Sequence, residues 1–238
     1  MVNINIIDNK SYYMGKGHGF IKNFISSNSL LDVIKKISLI ESNLEQGQKY
    51  YDLTEFIDEF KKVIFQSPHR NKIHDLLSSN ELIIESLELH NQYPGCSSIP
   101  AHQDNFYHNI EKNLGLKILL PFQNLNYDNG GLVFYDVEED FPVLNHMPSD
   151  VESFSSFISE ETIQYMNLKA TAYNYEEGDI TYHFLNTPHF SYGNKKSKKS
   201  AFLVFRIHTP FSKENKLMQE RYYQNYKEHL RLINKSEK

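Results

Sequence analysis

The sequence predicts a mainly β protein with flanking helices, an α+β chain whose strands build a sandwich or jelly roll. Three observations carry that prediction. Apolar and β-branched segments recur from 81 to 208 at strand length, closed by turn signals such as Tyr93-Pro94-Gly95, Asn129-Gly130-Gly131, Glu177-Gly178 and Gly193-Asn194. Few helical patterns interrupt them. Helical spacing is concentrated ahead of them, in the N-terminal third.

Taken in order, 19–25 alternates loosely and reads as a strand. Ser26, Ser27, Asn28 and Ser29 then offer N-caps for a helix through Leu30, Val33, Ile34 and Ile37. Phe56, Ile57, Phe60, Val63 and Ile64 recur at helical spacing over 53–65, Pro68 ends that pattern, and a shorter helix is expected over 73–77. Strands are predicted at 81–90, 116–122, 131–137, 171–175, 179–184 and 200–208. The polar stretch between Glu138 and Lys169 is too long for a hairpin connection; it carries a short helix over 159–168, and 138–170 is expected to be a lid. Past Pro210, Ser212 can cap a last helix over 212–235 with Met218, Tyr222, Tyr226, Leu230 and Ile233 in an i, i+4 ladder.

The 238 residues are expected to form one domain. A hydrophobic fraction of 39% and 16 each of Tyr and Phe suffice for a sizeable core. A formal net charge of -5 gives no overall reason to bind nucleic acid, so small molecules are the expected partners. Cys96 is the only cysteine, which excludes an intrachain disulfide. The opening MVNINIIDNK has neither the basic nor the apolar region of a secretion signal, and no apolar run is long enough to span a bilayer. The expectation is a cytoplasmic protein without membrane contact.

The chemistry gathers around His102-Gln103-Asp104. Side chains at i and i+2 share a face of an extended segment, so His102 and Asp104 point the same way. One further histidine completes a facial triad: two neutral imidazoles and a carboxylate hold Fe(II) on one octahedral face and leave sites for a bidentate co-substrate and O2. The strand opened by Gly178-Asp179 leads to two candidates for that third ligand, His183 and His189.

The order His102-Gln103-Asp104-Asn105-Phe106-Tyr107, Asn129-Gly130, Gly178-Asp179 and His189-x-Ser191-x-x-Asn194 resembles the phytanoyl-CoA dioxygenase family of Fe(II)/2-oxoglutarate oxygenases. The opening Gly19-Phe20 and Phe24-Ile25-Ser26 looks like that family's usual beginning. The likeness runs from about Gly19 to His208, the 138–170 region apart. It implies a cupin-like double-stranded β-helix with His102, Asp104 and His189 as both metal ligands and catalytic centre. Fe(II), 2-oxoglutarate and O2 are the implied cofactors, a small organic molecule the substrate, and hydroxylation the default outcome. Related halogenases replace the carboxylate by a small residue, whereas Asp104 is present here.

The family normally places an arginine against the distal carboxylate of 2-oxoglutarate. This chain departs from that pattern, with Lys195, Lys196, Lys198 and Lys199 ahead of the strand ending at Arg206 and His208. Lysine supplies charge but not the bidentate fork of arginine. Lys199, which falls best where the arginine is expected, is the first choice, with Arg206 the alternative and Lys117 a third candidate; strand alternation decides between the first two: Phe202 and Val204 inward favours Arg206, Ala201 and Leu203 inward favours Lys199. Ser191, by resemblance, aids the carboxylate. Tyr107, Glu88, His90, Gln92, His108 and His146 are candidate pocket residues, the first strand's trio sharing one face. The alternative to an oxygenase is a non-catalytic cupin-like protein that binds a metal or small ligand.

Overall fold

The structure is a computed structural model describing residues 3–8, 12–14, 16–42, 49–111, 114–151 and 154–236. Two sheets face each other. The larger has the order β2 (Tyr12–Met14), β3 (His18–Ile21), β13 (Ile180–Phe184), β8 (Gly115–Pro121), β15 (Ser200–His208), β5 (Ile83–Gln92), β4 (Tyr50–Asp52). The smaller runs β1 (Ile4–Ile7), β12 (Ala170–Tyr173), β9 (Leu132–Tyr135), β14 (His189–Ser191), β6 (Ile99–His102). Every pairing is antiparallel except β1 with β12. Two ribbons lie outside the sheets: β10 (Met147–Val151) with β11 (Phe154–Phe157), and β7 (Ile110–Glu111) with β16 (Lys213–Glu214).

From β5 onward the chain passes repeatedly between the sheets: β5 large, β6 small, β8 large, β9 small, and again through β13, β14 and β15. This is a double-stranded β-helix, mainly β with flanking helices. The helices are α1 (Ser27–Glu41), α2 (Ile57–Phe60), α3 (Lys62–Phe65), α4 (Arg70–Leu76), α5 (Asn105–His108), α6 (Glu160–Met166) and α7 (Lys216–Ser236).

Three apolar clusters follow from strand alternation. Outside the large sheet, Leu87, Leu89, Ile118, Leu203, Phe205 and Tyr182 meet Leu30, Val33, Phe60, Ile64 and Ile73 from α1 to α4. Burying each such side chain contributes about 1.5–3 kcal/mol, which explains why the amphipathic N-terminal helices lie there. Outside the small sheet, Val133, Ala172 and Phe190 meet Ile163 of α6. Between the sheets lie Phe20, Leu119, Leu132, Phe134, Tyr173, Phe202 and Val204.

Most boundaries follow local signals. Ser26 caps α1 by accepting from the Ser29 amide, and Ser159 caps α6 through Thr162. The helix expected over 53–65 is broken into a 3-10 turn (Thr54–Phe56), α2 and α3, because Phe60, Val63 and Ile64 are drawn onto the large sheet piecewise. The last helix begins later than its sequence signal. Asn215, not Ser212, accepts from the Met218 amide (3.1 Å), because Lys213–Glu214 first pairs with β7.

Alternation also puts a polar rung across the interior. Register aligns His18, His183, Lys117, Arg206 and Ser86 on neighbouring strands, one residue pair beyond the apolar Phe20, Leu119 and Val204. Buried polar groups need partners. His18 turns to Asp136, His183 and Lys117 to Asp104, Arg206 to Glu85 and Ser86 to Glu88.

Candidate metal centre

His102 ends β6 and His189 begins β14, and the two are directly opposite in the antiparallel pair. Asp104 lies just past β6, where the chain turns into α5. The extended spacing and the strand pairing together bring one atom of each of His102, Asp104 and His189 within 4.8 Å of one another, all three residues buried.

The histidine tautomers are fixed by their other partners. His102 Nδ1 lies 3.0 Å from the Pro100 carbonyl, and His189 Nδ1 3.0 Å from the Thr187 carbonyl. A carbonyl only accepts, so both Nδ1 atoms carry the proton and both Nε2 atoms present lone pairs. Those lone pairs face Asp104: His102 Nε2 is 4.0 Å from Oδ1 and His189 Nε2 is 3.8 Å from Oδ2. These separations are too long for hydrogen bonds and suit donors converging on a cation. Backbone carbonyls on the distal imidazole nitrogens are the outer support that histidine metal ligands receive elsewhere. The donor set, two nitrogens and one carboxylate oxygen, fits Fe(II) with open positions.

Electrostatics agree with that assignment. Burial, followed by the neighbouring His189, pushes His102 down to about 3. Burial and then His183 push His189 to about 3 as well, so both imidazoles are neutral across the physiological range. Burial alone would raise Asp104, but Lys117, His189 and His183 hold it well below the usual carboxylate range. Lys117 Nζ is 3.0 Å from Asp104 Oδ1, and burial, which would lower it, is outweighed by Asp104 and Glu88.

His183 differs from the other two histidines. Its Nε2 lies 2.7 Å from Asp104 Oδ2 and donates to it, while its Nδ1 has no hydrogen-bond partner among the described residues. It therefore carries the opposite tautomer, and its proton points where a ligand would present a lone pair. From the sequence alone His183 reads as a rival for the third ligand. Its inward register opposite Lys117 was the available signal.

The remaining candidates separate by strand face. Phe202 and Val204 lie between the sheets and Ala201 and Leu203 outside, so Arg206 faces inward. Arg206 meets Glu85 (3.1 Å) and His108, with Nε buried and unpartnered among the described residues. Lys199, of outward parity, instead pairs with Glu41 of α1 (3.3 Å). Glu88 and His90 face inward and bind each other (3.0 Å), with Lys117 the main opposite charge holding Glu88 at about 2 against its burial. Gln92, two residues on, accepts from Cys96 Sγ (3.0 Å) at the far end of the strand. Ser191 is buried facing inward, and its hydroxyl accepts from the Gly193 amide.

Tyr107 stands edge-on to His102 at 6.1 Å and donates to the Ser156 carbonyl. Phe154 of β11 stands edge-on to the same imidazole at 4.9 Å, and Tyr222 of α7 packs on Tyr107. The ribbon β10–β11 and α7 thus wall one side of the centre. His146 has both nitrogens committed, Nε2 accepting from the Gln103 amide and Nδ1 donating to the Leu144 carbonyl, and it stacks on Phe106 at 4.0 Å. It ties 138–151 to the metal loop and has no free nitrogen for a ligand.

No family model and no curated protein matches this chain. Solved structures do. EvdO2 from Micromonospora carbonacea var. aurantiaca, complexed with 2-oxoglutarate, has a TM-score of 0.65 at 16% identity, covering 84% of this chain and 89% of that one. The epimerase SnoN, in complex with Fe3+, alpha ketoglutarate and nogalamycin RO, has a TM-score of 0.66 at 12% identity over 84% and 82%. The non-heme monooxygenase ThoJ has a TM-score of 0.62 at 13% identity over 93% and 95%. At these identities the likeness is one of fold, the double-stranded β-helix seen here. Among the described residues no helix is long and apolar enough to cross a membrane.

Proposed function

We propose that this chain is a non-haem Fe(II)- and 2-oxoglutarate-dependent oxygenase of the phytanoyl-CoA dioxygenase type. It acts as a single cytoplasmic domain on a small organic substrate, with hydroxylation as the default outcome. One observation carries the proposal: two Nδ1-anchored imidazoles aim Nε2 lone pairs at a buried carboxylate, in a fold whose neighbours are described with 2-oxoglutarate, Fe3+ and monooxygenase activity. The epimerase among those neighbours keeps other outcomes of the same oxidative chemistry within the class.

His102, Asp104 and His189 would hold the iron on one face. With 2-oxoglutarate and O2, bound iron supplies the oxidising power to attack an unactivated C–H bond. The protein's part is binding, orientation and exclusion of water. Lys117 and Arg206, neighbours on the inner rung, supply positive charge for the carboxylates of 2-oxoglutarate, and the Ser191 hydroxyl adds a donor. Lys199, turned toward Glu41, lies outside that interior. Tyr107 and Phe154 shield the metal face, Glu88 and His90 line the approach, and His108 holds the Arg206 guanidinium. Within 138–170, the ribbon β10–β11 serves as the lid, anchored by His146, while α6 packs on the outer face of the small sheet.

The test is succinate release by anaerobically purified protein reconstituted with Fe(II) and given 2-oxoglutarate and O2. Iron-dependent succinate is expected, stimulated by the true substrate in a screen of amino acids, acyl derivatives and secondary metabolites, and absent in His189→Ala. Tight metal binding without succinate, even uncoupled, would overturn the oxygenase assignment in favour of a metal-binding module.

A further inference from the structure

The two oxygens of Asp104 are engaged by partners of opposite kind. Oδ2 accepts from His183 at 2.7 Å, and Oδ1 accepts from the Lys117 ammonium at 3.0 Å. A divalent ion between Asp104, His102 and His189 would take a lone pair of at least one of these oxygens, and would lie close to whichever partner shares that oxygen.

The surroundings decide which contact yields. His183 is 0% exposed and stands on β13, where it is paired on both sides, with His18 of β3 and Lys117 of β8. Its ring is wedged between those of His189 (4.3 Å) and Phe134 (5.3 Å). It has no room to turn. Lys117 reaches Asp104 over four methylenes, its side chain is 13% exposed, and the carboxylate of Glu88 faces the same interior two strands away. An ammonium and a divalent cation on one carboxylate also repel each other, whereas a neutral imidazole N–H does not.

We propose that Asp104 is held by a fixed donor, His183, and by a displaceable counter-ion, Lys117, so that metal enters by exchanging with the Lys117 ammonium at Oδ1. Before metal arrives, Lys117 neutralises the buried carboxylate. Afterwards the freed ammonium swings toward Glu88, on the side proposed above for the carboxylates of 2-oxoglutarate. His183 keeps Oδ2 throughout and so orients the carboxylate for single-oxygen ligation. It is a positioning residue, not a ligand. The inference rests on a metal at the triad and not on any turnover.

Cobalt(II) affinity of the full chain, read by competition with a chromophoric chelator in the absence of co-substrate, tests it through opposite signs. Lys117→Met is expected to bind cobalt(II) about tenfold more tightly, since no cation must leave. Arg206→Met, which removes the same charge one strand over without touching Asp104, is expected to change cobalt(II) affinity by less than about twofold. His183→Leu is expected to weaken binding about 10–100-fold, the usual loss when an outer partner of a ligand is removed. His183→Gln, whose amide can donate to Oδ2, should recover most of that loss. Thermal unfolding of each metal-free variant checks that it is folded, and Lys117→Gln replaces Lys117→Met if the latter is not.

Unchanged or weaker binding by the Lys117 variant, or equal tightening by Arg206→Met, overturns the exchange. Equal weakness of His183→Leu and His183→Gln overturns the positioning role. If His189→Ala binds cobalt(II) as well as the unaltered chain, the metal site itself is wrong. That result differs from failure of the oxygenase assignment, in which the cobalt pattern holds and succinate is missing.

Discussion

Two carboxylates accept hydrogen bonds from buried histidines in the same barrel, Asp104 itself buried and Asp136 with its side chain 24% exposed, and their surroundings differ. Asp136, past β9, accepts from His18 Nε2 (3.0 Å) and from the Thr171 hydroxyl (2.9 Å), while His18 Nδ1 accepts from the Tyr173 hydroxyl (2.6 Å). Every donor there meets an acceptor, and His18 has no nitrogen left over. Asp104 faces three histidines, two of which present lone pairs that no proton fills. The difference teaches that a buried His–Asp pair signals function when it carries surplus acceptors, and architecture when its accounts close within the protein.

The largest expected effect separates the clusters outright. Asp104→Ala should reduce metal affinity by at least about 1,000-fold, the loss of one of only three protein ligands. Asp136→Ala should leave metal affinity within a few-fold and instead lower the unfolding temperature, because it strands the buried His18. A loss of about 3 kcal/mol is expected from denaturant unfolding, as for breaking other buried polar pairs. A collapse of metal binding in the Asp136 variant would erase the distinction between the two sites.

A pH series sharpens the same contrast. Burial depresses His18, and it takes His102, His189, His108 and His146 to about 3. An imidazole depressed in the folded state is protonated first in the unfolded chain, so the unfolded state binds more protons below about pH 6.5. Stability of the metal-free protein should therefore be full above that pH and fall steadily toward pH 3. Glu88, held at about 2, adds a further loss as pH drops from about 4.5. Urea unfolding at several pH values measures the slope. His18→Phe should make it shallower by one proton without altering metal affinity, and an unchanged slope would show that His18 is not neutral when folded.

The smallest effect is expected from Thr171→Val, which keeps the shape and removes one donor to Asp136. A loss of about 1 kcal/mol in denaturant unfolding is predicted, with metal affinity untouched. A larger loss would mean that the Asp136 cluster is more tightly coupled than its pairwise contacts suggest.

Much of the fold was legible because it rests on short-range patterns. The cap at Ser26, the short helix near 159–168, the strand near Ile83–Gln92 and the long strand Ser200–His208 all have local causes. Strands of three or four residues were harder. Tyr12–Met14, Tyr50–Asp52 and His189–Ser191 are too short to show alternation, and they exist because a sheet edge or a facing strand supplies their hydrogen bonds. The C-terminal helix shows the same limit, since Ser212 carries a cap's chemistry but pairing of Lys213–Glu214 claims the chain first.

By itself the sequence determined that Lys199 and Arg206 take opposite faces of one strand, because a period of two is a property of the extended backbone; for His102 and Asp104 that period was only an expectation, since β6 ends at His102 and Asp104 opens α5. Only the tertiary structure decided which face is the interior, and so left Arg206 inside and Lys199 against Glu41. The family resemblance already favours His189 over His183, but only the fold gives the two rings opposite tautomers, since a histidine's tautomer is set by whichever carbonyl or carboxylate is delivered to its ring. Patterns along a chain fix directions relative to neighbours; the partners that give those directions chemical meaning arrive from strands far away in sequence.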